Sequence, residues 1–315
     1  MQVWHGFDEV PADLVASVVT IGNFDGVHRG HRAVLTAAVA RARELGLPAV
    51  AMTFDPHPAQ VHRPESTPPL LTGLVDRLEL LAEIGLDAAV VVTYTLDFAQ
   101  ALPEEFVRRC LVESLRARAV VVGQDTRFGR DNRGDTGTMA ELGERYGFAV
   151  EVVPDLGGAG VRRWSSSWAR ELIEVGAVAE AAEILGRAHR MRGIVVRGHA
   201  RGRDLGFPTA NLEPAASGAV PADGVYAGWL SRHGGTGRPM PAAISVGTNP
   251  TFDDVARRTV EAHVLGRDDL ELYDEEVVVE FVTLLRPTLR FDGVGPLITQ
   301  MQQDVLDAAA ALDQR

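Results

Sequence analysis

His28 and His31 stand three residues apart, with Gly30 between them, in the string Gly22-Asn23-Phe24-Asp25-Gly26-Val27-His28-Arg29-Gly30-His31. The string follows the apolar run Ser17 to Ile21 and opens a helical pattern that reaches Leu45. A strand–glycine loop–helix junction leaves backbone N–H groups without helical partners, which suits a phosphate. Two imidazoles at that mouth add donors for the charge that develops when a nucleotidyl group moves, and Gly30 leaves space between them. The plainer reading is that the glycines turn the chain and the histidines cap the helix. All 31 Lys+Arg residues are arginine. A GxxxxGK[ST] phosphate loop is therefore excluded, and any triphosphate chemistry rests on histidine, arginine, backbone and metal.

A second concentration of chemistry lies between Gly198 and Asn211. Gly198, Gly202 and Gly206 let the backbone approach a phosphate. Thr209 and Asn211 offer neutral oxygens two residues apart, the kind Mg2+ takes together with water and substrate phosphate. Hairpin glycines followed by a turn are the alternative reading of the same residues. Glu261 lies in the alternating run Arg258 to Leu265, and pattern alone makes it the solvent face of a strand.

These residues need elements to hold them. The first half alternates apolar runs (Ser17–Ile21, Ala49–Phe54, Ala88–Val92, Ala119–Val122, Ala149–Val153) with helical patterns (Gly30–Leu45, Thr72–Ile84, Pro103–Leu115, Thr136–Tyr146). Such alternation predicts a parallel sheet with helices on both faces, binding its ligand at the carboxyl ends of the strands. His28, His31, Asp55 to Pro58, and Gly123 to Gly129 all follow predicted strands. Beyond Gly186 the pattern shortens into β-rich runs separated by Gly, Pro and Asp, which predicts a small antiparallel barrel or sandwich. Pro296 to Leu312 is predicted as a helix capping it. Two helices, Ser166–Val175 and Val178–Leu185, bridge the halves, so the domains are expected at 1–186 and 187–315.

Composition narrows the function classes. A net charge of −12 argues against a nucleic-acid groove. The single cysteine, Cys110, excludes an internal disulfide and reads as a small core group. No apolar run reaches membrane-spanning length, and the first residues lack a basic then apolar leader, so a cytoplasmic chain is expected. Small molecules are the expected partners, with no nucleic acid and no membrane, and the chain is expected to be a monomer or weak homo-oligomer.

The histidine string, followed by Thr53-Phe54-Asp55-Pro56-His57-Pro58, resembles the prokaryotic bifunctional riboflavin kinase/FMN adenylyltransferase family end to end. The resemblance implies an N-terminal Rossmann-like nucleotidylyltransferase sheet and a C-terminal riboflavin-kinase-like β-barrel with a terminal helix. It implies riboflavin, FMN, FAD and ATP as ligands, with Mg2+ accompanying ATP. In the first domain it makes His28 and His31 catalytic and lines the ATP site with Gly22, Asn23, Phe24, Asp25, Gly30, Ser165, Ser166 and Arg170. His57, Asp125 and Phe128 fall at its flavin side. In the second domain it makes Glu261 the base that takes the ribityl 5′-OH proton and gives Thr209 and Asn211 to the metal. Gly198, Gly202, Arg203, Gly206, Pro208 and Asn249 then meet the nucleotide, and Arg286 meets the flavin. Thr251 supports the same loop as Asn249. Four positions depart from the family pattern: Thr126, where an aromatic is usual, Ser167, where threonine is usual, Ala169, where a branched residue is usual, and Asp274, where glycine is usual. Thr126 and Ala169 leave an alternative, an active riboflavin kinase whose N-terminal domain only binds nucleotide as a regulatory or structural module.

Overall fold

The structure, a computed structural model, describes residues 1–157, 162–198, 206–235, 237–248 and 258–313. The chain divides into two compact units, Met1–Pro68 with Leu74–Ser165 and Pro69–Gly73 with Ser166–Arg315.

The first unit is built on six parallel strands. In chain order its elements are β1 (Gln2–His5), β2 (Ser17–Ile21), α1 (Arg29–Leu45), β3 (Ala49–Asp55), α2 (Pro58–His62), α3 (Leu74–Ile84), β4 (Ala88–Thr93), α4 (Leu96–Ala99), α5 (Pro103–Phe106), β5 (Ala117–Gly123), α6 (Thr136–Tyr146) and β6 (Ala149–Val153). α5 continues into a π-helical stretch over Val107–Ser114, where Leu115 N–H donates to the Cys110 carbonyl at 3.1 Å. The sheet order is β1-β4-β3-β2-β5-β6, with every pair parallel. Every residue of β2 is buried, as are the first six of β3. Successive side chains go to opposite faces: Val19, Val50 and Met52 join one core, and Val18, Ala49 and Ala51 the other. Unbroken apolar runs therefore mark strands covered on both sides. The chain leaves β2 toward β3 on one side and returns to β5 on the other. The crevice at that reversal opens between the loops after β2 and β5, where α/β sheets place ligands.

The second unit is a closed antiparallel barrel. Its strands are β7 (His189–Val196), β8 (Ala210–Leu212), β9 (Gly224–Arg232), β10 (Met240–Thr248), β11 (Arg258–Val264) and β12 (Glu276–Pro287), in the order β10-β11-β8-β7-β12-β9. Closure removes exposed strand edges. Tyr226, Leu230, Ile244, Val260, Val279 and Phe281 fill the interior. The helices α7 (Ser166–Glu174) and α8 (Val178–Leu185) precede the barrel, and α8 packs its buried face of Val178, Ala181, Ile184 and Leu185 against β7 and β12. Packing thus groups both helices with the barrel, ahead of the boundary expected at Gly186. The last helix, α9 (Val294–Asp313), lies along the outer wall, with Ala308 and Leu312 against Ala227, Ala243 and Val282. It braces the side of the barrel and is not an end cap. Arg286 on β12 fixes it through two hydrogen bonds to Asp304, at 2.7 and 2.6 Å.

Candidate active sites

The loop after β2 carries the two histidines in a stacked pair. His28 is the N-cap of α1, its Nδ1 accepting the His31 backbone N–H at 3.3 Å. The two rings stack with centroids 3.7 Å apart, and Phe24 meets His31 edge-on at 5.5 Å. A Cβ on Gly30 would come within 3.0 Å of the His28 ring, and one on Gly22 within 2.8 Å of the Phe24 ring. The glycine between the histidines therefore makes room for the His28 ring. Burial, reinforced by charge on His28, pushes His31 well below its usual 6.5, so it is neutral at pH 7. Its buried Nδ1 has no hydrogen-bond partner among the described residues. Phe24 (φ 49°) and Val27 (φ 38°) both adopt left-handed backbone. That is strained for a β-branched valine and is the kind of strain loops hold at working sites.

Neighbouring loops converge on this one. Arg77 on α3 is almost wholly buried, and its Nη1 donates to the carbonyls of Asn23 (2.8 Å) and Phe54 (3.1 Å) and to Thr53 Oγ1 (3.2 Å). Burial lowers its pKa while Asp25 and Asp55 oppose that shift. His57 follows β3 and caps α2, its Nδ1 accepting from Ala59 N–H at 3.1 Å while Gln60 accepts from His57 N–H at 2.8 Å. The Trp164 ring lies 5.4 Å beneath the Arg29 guanidinium, and its carbonyl is 3.8 Å from where a Gly30 Cβ would be. Ser165 therefore joins the mouth of α1. Asp125, after β5, pairs with Arg163 at 2.9 Å.

In the barrel, β8 and β11 place the second group of residues on one outward face. Glu261 is the register partner of Asn211, so Thr209 and Asn211 lie beside it. Thr209 Oγ1 donates to Glu261 Oε2 at 3.4 Å, and Asn211 Nδ2 donates to Thr209 Oγ1 at 3.2 Å. A Cβ on Gly198, two residues past β7, would stand 2.5 Å from Asn211 Oδ1, so a larger residue there would displace this amide. The Pro208 carbonyl accepts from His263 Nδ1 at 2.8 Å, and the same imidazole meets Phe207 edge-on at 5.4 Å. Gly198, Pro208, Thr209, Asn211, Leu272 and Tyr273 line a pocket beside these groups. Gly206 is left-handed, with φ 87°.

A sequence model of FAD synthetase matches residues 10–167, and one of riboflavin kinase matches residues 185–312. The bifunctional riboflavin kinase/FMN adenylyltransferase of Escherichia coli (strain K12) is 34% identical over 304 residues, covering 96% of this chain and 95% of that protein. The chain belongs to the bifunctional riboflavin kinase/FMN adenylyltransferase family. Its relative of the same name in Listeria monocytogenes is 35% identical, over 94% of this chain and 92% of the other. A crystal structure described as a macrolide-efflux protein from Streptococcus pneumoniae superposes with a TM-score of 0.85 at 29% identity, covering 96% of each chain. Among the described residues, no helix is long and apolar enough to cross a membrane.

Several side chains that the resemblance assigns to a site have partners within the chain. Phe128 was expected at the flavin side, yet its ring is a core group, packed on Phe106 at 5.6 Å and against Gly134. Arg286 was expected on the flavin, but its guanidinium is held by Asp304 and the pair is largely buried. Arg170 Nε donates to the Pro69 carbonyl at 2.8 Å, which commits that edge of its guanidinium to the 69–73 segment. Ser166 begins α7. Gly202, Arg203, Asn249 and Thr251 lie outside the described residues. Two features are hidden in the sequence. Arg77 is one: the only hint is a charged pair, Asp76-Arg77, on the leucine-rich helix α3. The other is an aromatic cluster where β3 and β4 end, in which Phe54 meets Tyr94 at 5.6 Å and Phe98 at 6.0 Å, and Tyr94 hydroxyl bonds His62 at 2.9 Å.

Proposed function

We propose that this chain makes FAD from riboflavin in two ATP-dependent steps, one in each unit. In the barrel, Glu261 takes the proton of the ribityl 5′-OH while that oxygen attacks the γ-phosphorus of ATP, giving FMN and ADP. In the α/β unit, an FMN phosphate oxygen attacks the α-phosphorus of a second ATP, giving FAD and pyrophosphate. His28, His31 and the N–H groups opening α1 stabilise the charge that builds on the triphosphate. Phosphoryl and nucleotidyl transfer of this kind rely chiefly on positioning and electrostatics. The neutral His31, with an unused buried nitrogen, suits an anion that supplies its missing partner.

The observation that carries this reading is the grouping of Thr209, Asn211 and Glu261 on one barrel face, in a chain whose other unit carries the stacked histidines. Neutral oxygens of Thr209 and Asn211 beside one carboxylate fit Mg2+, which prefers few protein oxygens plus substrate phosphate. When bound there, Mg2+ would neutralise charge on the transferred phosphate, and Thr209 and Asn211 would hold it. Ala169, one of the departures from the family pattern, is fully buried on α7, where a small residue meets the demands of packing.

Incubation of the purified protein with riboflavin, ATP and Mg2+, followed by chromatographic separation of flavins, tests both halves. FMN and then FAD are expected. FMN without FAD, together with nucleotide binding but no pyrophosphate release, supports the reading in which the first unit only binds nucleotide. Neither product rejects the assignment altogether.

A further inference from the structure

We propose that Arg77 is the positioning residue of the adenylyl-transfer step, setting the spacing between the histidine loop and the loop that carries His57. The inference rests on reading the histidine loop as the adenylyl-transfer site. The β2–β3 ladder ends at the pair Ile21–Met52 and the bond from Gly22 N–H to the Met52 carbonyl. Beyond it β2 gives way to the histidine loop while β3 runs on to Asp55, and one buried guanidinium takes over the role of the ladder. Its Nη1 reaches Asn23 in the loop and Phe54 at the end of β3, while Thr53 Oγ1 also donates to the Asn23 carbonyl at 3.2 Å. Nη2 lies 3.8 Å from Asp55, two residues ahead of His57.

This attachment falls where the loop most needs support. Asn23 directly precedes Phe24, and both Phe24 and Val27 hold left-handed backbone that persists only when surrounding structure over-determines it. The partners of Arg77 are the Asn23 carbonyl in the histidine loop and Thr53, Phe54 and Asp55 at the end of β3, so it ties that loop to the strand end that leads to His57. Asp25, itself buried, and Asp55 balance the cation. Lysine could restore that charge, but its single ammonium cannot combine the bonds of Nη1 to Asn23 and Phe54 with the approach of Nη2 to Asp55.

The test uses full-length protein carrying Arg77→Lys, with Arg77→Met as the stronger lesion. FMN-to-FAD and riboflavin-to-FMN turnover, melting temperature and ATP-binding stoichiometry are measured on the same preparations. Arg77→Lys is expected to phosphorylate riboflavin at the wild-type rate and to bind ATP with wild-type stoichiometry. Its turnover of FMN to FAD should fall about 100-fold, the cost of misplacing reacting groups by about an ångström. Wild-type FAD formation by Arg77→Lys overturns the proposal, because charge balance alone would then suffice. A loss of FAD formation matched by an equal loss of ATP stoichiometry also overturns it, since that marks a purely structural role. If Arg77→Met does not fold, Arg77→Lys decides. Wild-type protein that makes no FAD from supplied FMN overturns the site reading and this role together.

Discussion

The stacked imidazoles of His28 and His31 put two titratable rings in contact, so a proton on one opposes a proton on the other. Burial and His28 hold His31 well below 6.5 in the folded chain, whereas an unfolded chain titrates it near that value. Between those two values the unfolded state binds the extra proton, so folded stability falls as pH drops below about 6.5. The loss levels off once folded His31 is itself protonated. The His31→Gln variant should therefore lose less melting temperature than wild type between pH 7.5 and 5; identical slopes would contradict the burial of this ring. At the residue scale the sequence is most legible where polar types recur at short spacing, as with His28 and His31 or with Thr209 and Asn211, whereas Glu261 reads from pattern alone as the solvent face of its strand. Arg77 is not legible, because an arginine on an amphipathic helix reads as a surface position until the loops it spans are seen. Phe128 and Arg286 mislead for the opposite reason: an aromatic and a cation near a site can belong to the core or to a helix brace.

Among the elements, α9 depends on one ion pair as well as on its apolar face. Arg286 and Asp304 are only 17% and 7% exposed at their side chains. Arg286→Ala should destabilise the barrel unit by about 3–5 kcal/mol in chemical denaturation by leaving the Asp304 charge with the neutral Gln300 amide in place of its cation, whereas Arg286→Met with Asp304→Leu should recover most of it. Failure of the double substitution to recover stability would show that the pair does more than join β12 to α9. Asp274, in the turn before β12, holds φ 62°, a conformation costly for side chains other than those of Gly, Asn and Asp. Asp274→Ala should lower stability by about 1 kcal/mol in chemical denaturation; an unchanged stability would mean that the turn relaxes to accept the new side chain. Long periodic elements such as α1 and α6 are readable in the sequence. The edge strand β1 and the three-residue β8 are not, because neither is long enough to display a period. β8 is held by its partners β7 and β11, and tertiary pairing is invisible in a local pattern.

Across the whole molecule, the change from strand–helix alternation to short β runs reports two kinds of core, one on both faces of a parallel sheet and one inside a closed barrel. The fold class is legible because each core imposes its own sequence period. Where the helices α7 and α8 belong is not, since an apolar stripe on a helix does not say which sheet it covers. Two units with different chemistry imply that either reaction can be removed without the other. The most direct measurement gives the Glu261→Gln variant riboflavin with ATP in one reaction and FMN with ATP in another, and separates the flavins. FMN formation from riboflavin should fall by about 10²–10⁴-fold, the contribution of a positioned general base, while FAD forms from supplied FMN at the wild-type rate. Loss of both products, or undiminished FMN formation, would contradict an account in which Glu261 serves the barrel and the stacked histidines serve the sheet.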